Sequence, residues 1–137
     1  MKMRRIHRRG LNVEPGPAAW NGRLRRKGGC GMRKTEYLGP YALSWPEGVF
    51  PLGGDALALG EFASVRPGWR VCDLGTGSGV LLLLLARRAE GLALTGVEID
   101  PLSARTAREN LEANGLAGEV LCTDLRTDAL PAGRFDL

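Results

Sequence analysis

At 137 residues the chain holds one folded domain at most, and its 44% hydrophobic content is that of an ordinary globular protein rather than a disordered one. The longest apolar run, residues 80–86, is far too short to cross a bilayer, and the basic N-terminus lacks the apolar stretch of a secretory signal. The net charge of +4 is unevenly spread: residues 1–35 carry eleven Lys/Arg against the single acid Glu14, a balance of +10, whereas residues 36–137 carry eight Arg against fourteen acids, a balance of −6.

Residues 1–35 show no period of 2 or 3.6 and are dominated by Gly, Pro, Arg and Lys, so they are expected to form a basic extension rather than a folded element. Such an arm could touch RNA phosphates. The preferred expectation is instead a natural start at Met32, because Arg26-Lys27-Gly28-Gly29 can be encoded by a purine-rich ribosome-binding sequence at the right spacing. His7, the only histidine, lies in this segment and is assigned no catalytic role. Cys30, Cys72 and Cys122 have no metal-ligand spacing, so no metal is expected. Cys72 and Cys122 fall in expected buried strands as unpaired small hydrophobes, which suits a reducing cytoplasm.

Residues 36–54 hold two expected short strands, 38–43 and 49–52, with Pro40, Pro46 and Pro51 pointing to an edge hairpin or irregular lead-in. Asp55 stands at an N-cap position for a first helix over 56–65, closed off by Pro67-Gly68. Residues 69–74 form the first core strand, 75–79 a glycine turn and 80–89 a helix apolar all round its first two turns. Arg87 and Arg88 fall where the helix dipole favours cations, and Gly91 ends that element. A second buried strand over 92–99 leads to a helix capped by Asp100 with Pro101 at its first position, ending at Asn114-Gly115. A third strand spans 119–123, and residues 134–137 begin a fourth.

Apolar strands alternating with helices imply an α/β fold with a doubly wound parallel sheet, in which ligands bind at the C-terminal ends of the strands. Asp73, the turn Gly75, Thr76, Gly77, Ser78 and Gly79, the pair Glu98-Ile99 and the pair Asp124-Leu125 all fall at such ends, from three different strands. A dinucleotide pattern would need glycine at position 80, where Val80 stands, and Asp73 would repel a pyrophosphate. The P-loop pattern is missing as well. A cofactor with a cationic amine and a sulfonium suits a glycine turn rimmed by carboxylates. Glu98 could accept from both hydroxyls of a ribose, and Asp124 from the exocyclic amine of adenine.

Residues 71–79 (VCDLGTGSG), 97–101 (VEIDP, preceded by Gly96) and 122–124 (CTD) resemble motifs I, II and III of class I S-adenosylmethionine-dependent methyltransferases, over residues 55–137. The resemblance implies a Rossmann-like fold with S-adenosylmethionine as cofactor, Asp73, Gly75 and Gly77 at its methionine end, Glu98 at the ribose and Asp124 at the adenine. The lead-in FPLGGDALALGEFA is similar to that of bacterial adenine-N6 methyltransferases acting on tRNA(Val), which implies tRNA as partner and an adenine amine as methyl acceptor. Release-factor glutamine methyltransferases share the DLGTGSG turn and stand second, and a non-catalytic S-adenosylmethionine-binding module stands third. Both enzyme families carry an Asn-Pro-Pro-aromatic motif after the fourth strand, beyond Leu137, so the chain is expected to hold the cofactor half of a domain and none of its residues is named as catalytic.

Overall fold

The computed structural model describes residues 32–130, 133 and 135–137. The basic extension before Met32, with His7 and Cys30, lies outside the described residues. The elements run β1 (Arg33–Leu38), β2 (Tyr41–Pro46), α1 (Gly54–Phe62), β3 (Arg70–Leu74), α2 (Val80–Ala86), β4 (Ala93–Glu98), α3 (Pro101–Ala113) and β5 (Gly118–Cys122). β3, β4 and β5 form a parallel sheet in that spatial order, joined through α2 and α3 as crossovers. The α/β class expected from the alternation of strands and helices is the architecture observed.

Period-2 alternation decides which face of the sheet is packed. Val71, Leu94 and Val120 are buried with Leu82, Leu83, Leu85, Ala104, Ala107 and Leu111 of α2 and α3 in one core. Cys72 and Leu121 on the alternate face are half-buried, and Leu74 is exposed. Cys72 therefore does not lie in the core, and Cys122 is exposed, contrary to the expectation that both strands bury their cysteines. Both thiols are free, and β4 runs between their strands. Two strand spacings amount to about 9.6 Å, beyond disulfide reach.

The lead-in differs from expectation in register. Gly39-Pro40 is not inside a strand but is the bend of an antiparallel hairpin, with Leu38 paired to Tyr41. Gly39 takes φ +67°, which glycine adopts freely and β-branched or bulky residues do not. Residues 33–35, which composition places in the extension, belong to β1, and residues 49–52 form no strand but enter α1 as loop, with Val49 buried.

α1 begins two residues earlier than expected, at Gly54, and ends three residues earlier, at Phe62. Gly53, not Asp55, occupies the N-cap; Asp55 sits in the first turn, where the helix dipole still favours its charge. At the other end the Arg88 guanidinium donates to the carbonyls of Gly60 and, at 2.6 Å, Ala63, satisfying the groups a longer helix would have used. α2 stops at Ala86, and Arg87 reaches Glu61 at 3.2 Å. The side chains of the two arginines thus hold α1. Gly60 lies where α1 crosses α2, since a Cβ there would stand 2.8 Å from Leu84 Cδ1.

The hairpin is fastened to α3 by two asparagines one helical turn apart. Asn110 accepts from Ser44 N at 2.9 Å and donates to Ser44 O at 3.0 Å. Asn114 does the same with Ala42, at 2.8 Å in each direction. Each amide saturates one strand residue as a neighbouring strand would. From the same helix, Arg108 donates to Val120 O at 2.9 and 2.6 Å, covering a carbonyl on the edge of β5. Residues 135–137 lie beside β3, with Asp136 N donating to Arg70 O at 2.8 Å and Cys72 N to Leu137 O at 2.9 Å, although no regular strand forms there.

Candidate functional site

The C-terminal ends of β3, β4 and β5 place the expected residues along one edge. After β3 the chain turns through residues 75–79, with φ of +79° at Gly75, +56° at Gly77 and +84° at Gly79. L-residues pay roughly 1–2 kcal/mol for that conformation. The turn is anchored to β4, because Gly75 N and Thr76 N both donate to Val97 O, at 2.8 and 2.9 Å. Glu98 accepts from Gly77 N at 2.9 Å through one oxygen and from Asp100 N at 3.0 Å through the other. Glu98 is therefore a brace for the turn as well as a carboxylate at the strand end, a role that spacing did not reveal.

The glycines divide by what lies in front of them. A Cβ on Gly79 would meet Ala107 Cβ at 3.3 Å and Cα at 3.4 Å, so this glycine lets α3 approach. Gly75 and Gly77 face open space with no atom within 4 Å of such a Cβ. Thr76 is 3% exposed, and its hydroxyl lies beside the Asp73 carboxyl. Two bare glycines facing open space beside a carboxylate leave room for a ligand to approach the backbone.

Asp73 is half-buried at the end of β3. Burial pushes its carboxyl up from the usual range; the neighbouring Thr76 hydroxyl opposes this and the charge of Glu98 adds to it. Burial, then Asp73, likewise raises the Cys72 thiol. Asp73 and Glu98 make one edge of the turn electronegative, matching a cationic group. Asp100 caps α3 by accepting from Ser103 N at 2.7 Å, which holds its carboxyl below the usual range.

Asp124 lies past β5, next to Thr123, whose N donates to Glu98 O at 3.0 Å. Its carboxylate takes Arg126 N at 2.9 Å and the Arg126 guanidinium at 2.6 Å, which lowers its pKa. In this conformation Asp124 is committed to its own turn. Ile99 and Leu125, 56% and 44% exposed, present apolar surface beside Glu98 and Asp124. Ser78 is buried, and its carbonyl accepts from Asn110 at 2.9 Å. Asn110 was not singled out from sequence; a buried amide on the inner face of a helix is the signal that could have found it.

Among the described residues no group of His, Cys, Asp and Glu could hold a metal ion, and no helix is long and apolar enough to cross a membrane. The sequence model of a family described as a methyltransferase domain matches residues 71–137, the stretch that builds this turn and both neighbouring strand ends. That match covers just under half of the chain. The chain is similar to the tRNA1(Val) (adenine(37)-N6)-methyltransferase of Cronobacter sakazakii, 43% identical over 70 residues, 50% of this chain and 29% of that protein. It is also similar to the ribosomal protein L11 methyltransferase of Pelotomaculum thermopropionicum, 47% identical over 53% of this chain and 23% of the relative. Among solved structures, the 16S rRNA N2 G1207 methyltransferase of T. thermophilus, in complex with AdoMet and guanosine, superposes with a TM-score of 0.64 at 32% identity, over 77% of this chain and 31% of that one. The chain thus spans under a third of the length of each relative. That superposition covers more of the chain than the family match, which begins only at Val71.

Proposed function

We propose that the chain is part of a methyltransferase domain that binds S-adenosylmethionine at the C-terminal edge of the sheet and serves methyl transfer to the N6 amine of an adenine in tRNA. The observation that carries the cofactor assignment is the pair of open faces at Gly75 and Gly77 beside the carboxylates of Asp73 and Glu98. When bound, S-adenosylmethionine supplies an electrophilic methyl group on a sulfonium. The chain's own part is to hold and orient. Asp73 would face the cationic amino group, and the backbone at Gly75 and Gly77 would lie against the methionine end. Glu98, whose carboxylate has lone pairs left after its two backbone bonds, would accept from the ribose hydroxyls. Ile99 and Leu125 would flank the adenine, and Asp124 would accept from its amine after releasing Arg126.

The tRNA adenine reading is supported by the 43% identity over 70 residues to the Cronobacter enzyme. A second reading, transfer to the exocyclic amine of a guanine in rRNA, has the support of the T. thermophilus structure, whose likeness extends over 77% of this chain. Both acceptors are purine amines, so the same cofactor edge serves either. Calorimetry of the 137-residue chain with S-adenosylhomocysteine tests the cofactor assignment; no heat of binding at millimolar ligand would overturn it. For the acceptor, the full-length protein is incubated with methyl-labelled S-adenosylmethionine and either tRNA(Val) or 16S rRNA. Label in N6-methyladenine of the tRNA is expected; label in rRNA guanine alone would replace the first reading with the second.

A further inference from the structure

The Asn110 amide is the point at which three separate parts of the chain meet. Its nitrogen donates both to Ser44 O of the hairpin, at 3.0 Å, and to Ser78 O of the glycine turn, at 2.9 Å. Its oxygen accepts from Ser44 N at 2.9 Å. The side chain is 2% exposed and fully satisfied, so each bond is made away from competing water. Asn114, one turn further along α3, binds Ala42 of the same hairpin and its own helix at Asn110 O, but has no bond to the glycine turn. In an antiparallel ladder the backbone groups of alternate residues face the partner strand. Ala42 and Ser44 face α3 instead, which leaves the pairing with β1 intact.

Ser78 O has a particular need for that partner. The first helical bond of α2 runs from Leu83 N to Gly79 O, so Ser78 O lies just outside the helix. The residue is buried, and without Asn110 its carbonyl would be left unpaired. The Ser78–Gly79 peptide is also the one whose NH, from Gly79, closes the turn onto Thr76 O at 2.8 Å. Fixing the carbonyl of this peptide therefore fixes the plane of its NH, and with it the closure of the whole loop.

We infer that Asn110 is a positioning residue that couples docking of the β1–β2 hairpin to the conformation of the glycine turn, so that the hairpin pre-organises the cofactor cradle. The coupling passes through one amide group with two carbonyls on its nitrogen. The consequence for binding rests on the proposed reading of the turn; the consequence for the turn's rigidity does not. A hairpin in place means the turn is already in its binding conformation, and the ordering cost is removed from the binding step.

The test compares Asn110→Ala with Asn114→Ala in the full chain, by amide hydrogen exchange and by calorimetry with S-adenosylhomocysteine. In Asn110→Ala, the Thr76, Gly77 and Gly79 amides should exchange at least tenfold faster than in the parent, and affinity should fall at least fivefold. In Asn114→Ala, the Ala42 amide should exchange faster, while turn exchange and affinity stay within twofold. Equal loosening of the turn in both variants, or no loosening in Asn110→Ala, would overturn the inference. If Asn110→Ala does not fold, Ser44→Pro takes its place, since it removes the NH that meets Asn110 and leaves the β1 ladder untouched. It should speed turn exchange at least threefold, and unchanged exchange would be decisive against the coupling. If the parent chain does not bind S-adenosylhomocysteine, the proposed function falls and the exchange comparison still decides the role of Asn110.

Discussion

Glu98 Oε2 accepts from Gly77 N at 2.9 Å, tying the end of β4 to the middle of the glycine turn that follows β3. The other oxygen takes Asp100 N at 3.0 Å, so one carboxylate joins the turn to the start of α3. Glu98→Ala removes both acceptors. It should lower stability by about 1–3 kcal/mol, the usual worth of hydrogen bonds to a charged group. It should also weaken S-adenosylhomocysteine binding at least tenfold, about 1.4 kcal/mol. Glu98→Gln keeps one carbonyl oxygen and should recover most of the stability but less of the binding. Denaturant melts and calorimetry on the two variants separate bracing from ligand contact; unaltered affinity in Glu98→Ala would remove Glu98 from the site.

Asp73 gives a stability effect of opposite sign to its binding effect. Its carboxyl is raised in the folded chain, by burial first and by Glu98 in addition, so the folded state holds the proton more tightly than the unfolded one. Stability contributed by the protonated form is then lost as pH rises from the unfolded value through the folded one. Asp73→Asn should flatten that fall and raise the melting temperature at neutral pH. The same substitution should weaken binding of the cationic ligand, because the negative charge is gone. Melting curves between pH 3 and 7 and calorimetry at pH 7 check the pair; a variant at once less stable and equally tight would refute the assignment.

The turn glycines should separate in the same way. Gly79→Ala meets both a φ of +84° and Ala107 at 3.3 Å, whereas Gly75→Ala meets only a φ of +79° in open space. Gly79→Ala should therefore be the more destabilising, at about 2–4 kcal/mol against about 1–2 kcal/mol for Gly75→Ala. For binding, Gly75→Ala should be the more damaging relative to its stability loss, since its methyl group occupies ligand space. Urea titrations with and without S-adenosylhomocysteine give both rankings at once.

What the sequence revealed, and what it concealed, follows from the range of the interactions involved. The strands at 70–74, 93–98 and 118–122 and the helix capped by Asp100-Pro101 are encoded locally, by apolar runs, glycine punctuation and a cap, and all were legible. The acids at the strand ends were legible for the same reason. The ends of α1 were not, because the Arg88 guanidinium that takes its last carbonyls is 25 residues from Ala63. The hairpin register was misplaced because residues 38–43 were read as one strand, when Gly39-Pro40 is the bend itself. Asn110 and Asn114 were hidden for a further reason: a helix places polar residues outward by default, and only the docked hairpin, 66 residues away for Ser44, makes an inward amide favourable.

Arg88 supplies the last prediction. Its guanidinium donates to Gly60 O and Ala63 O, two carbonyls freed as α1 ends at Phe62. An orphan carbonyl at a helix end needs a partner, and here the cation also lies at the negative end of the helix dipole. Arg88→Ala should cost about 1–3 kcal/mol, from loss of charged hydrogen bonds to partly buried carbonyls. Both bonds run from one nitrogen, Nη1, so Arg88→Lys keeps the charge and a multi-donor nitrogen on a shorter stem and should recover part of the loss. Arg87→Ala is the internal control: its pair with Glu61 is exposed and should contribute under about 1 kcal/mol. Equal losses for Arg87→Ala and Arg88→Ala in urea titrations would show that α1 is held by surface charge rather than by the cap on its carbonyls.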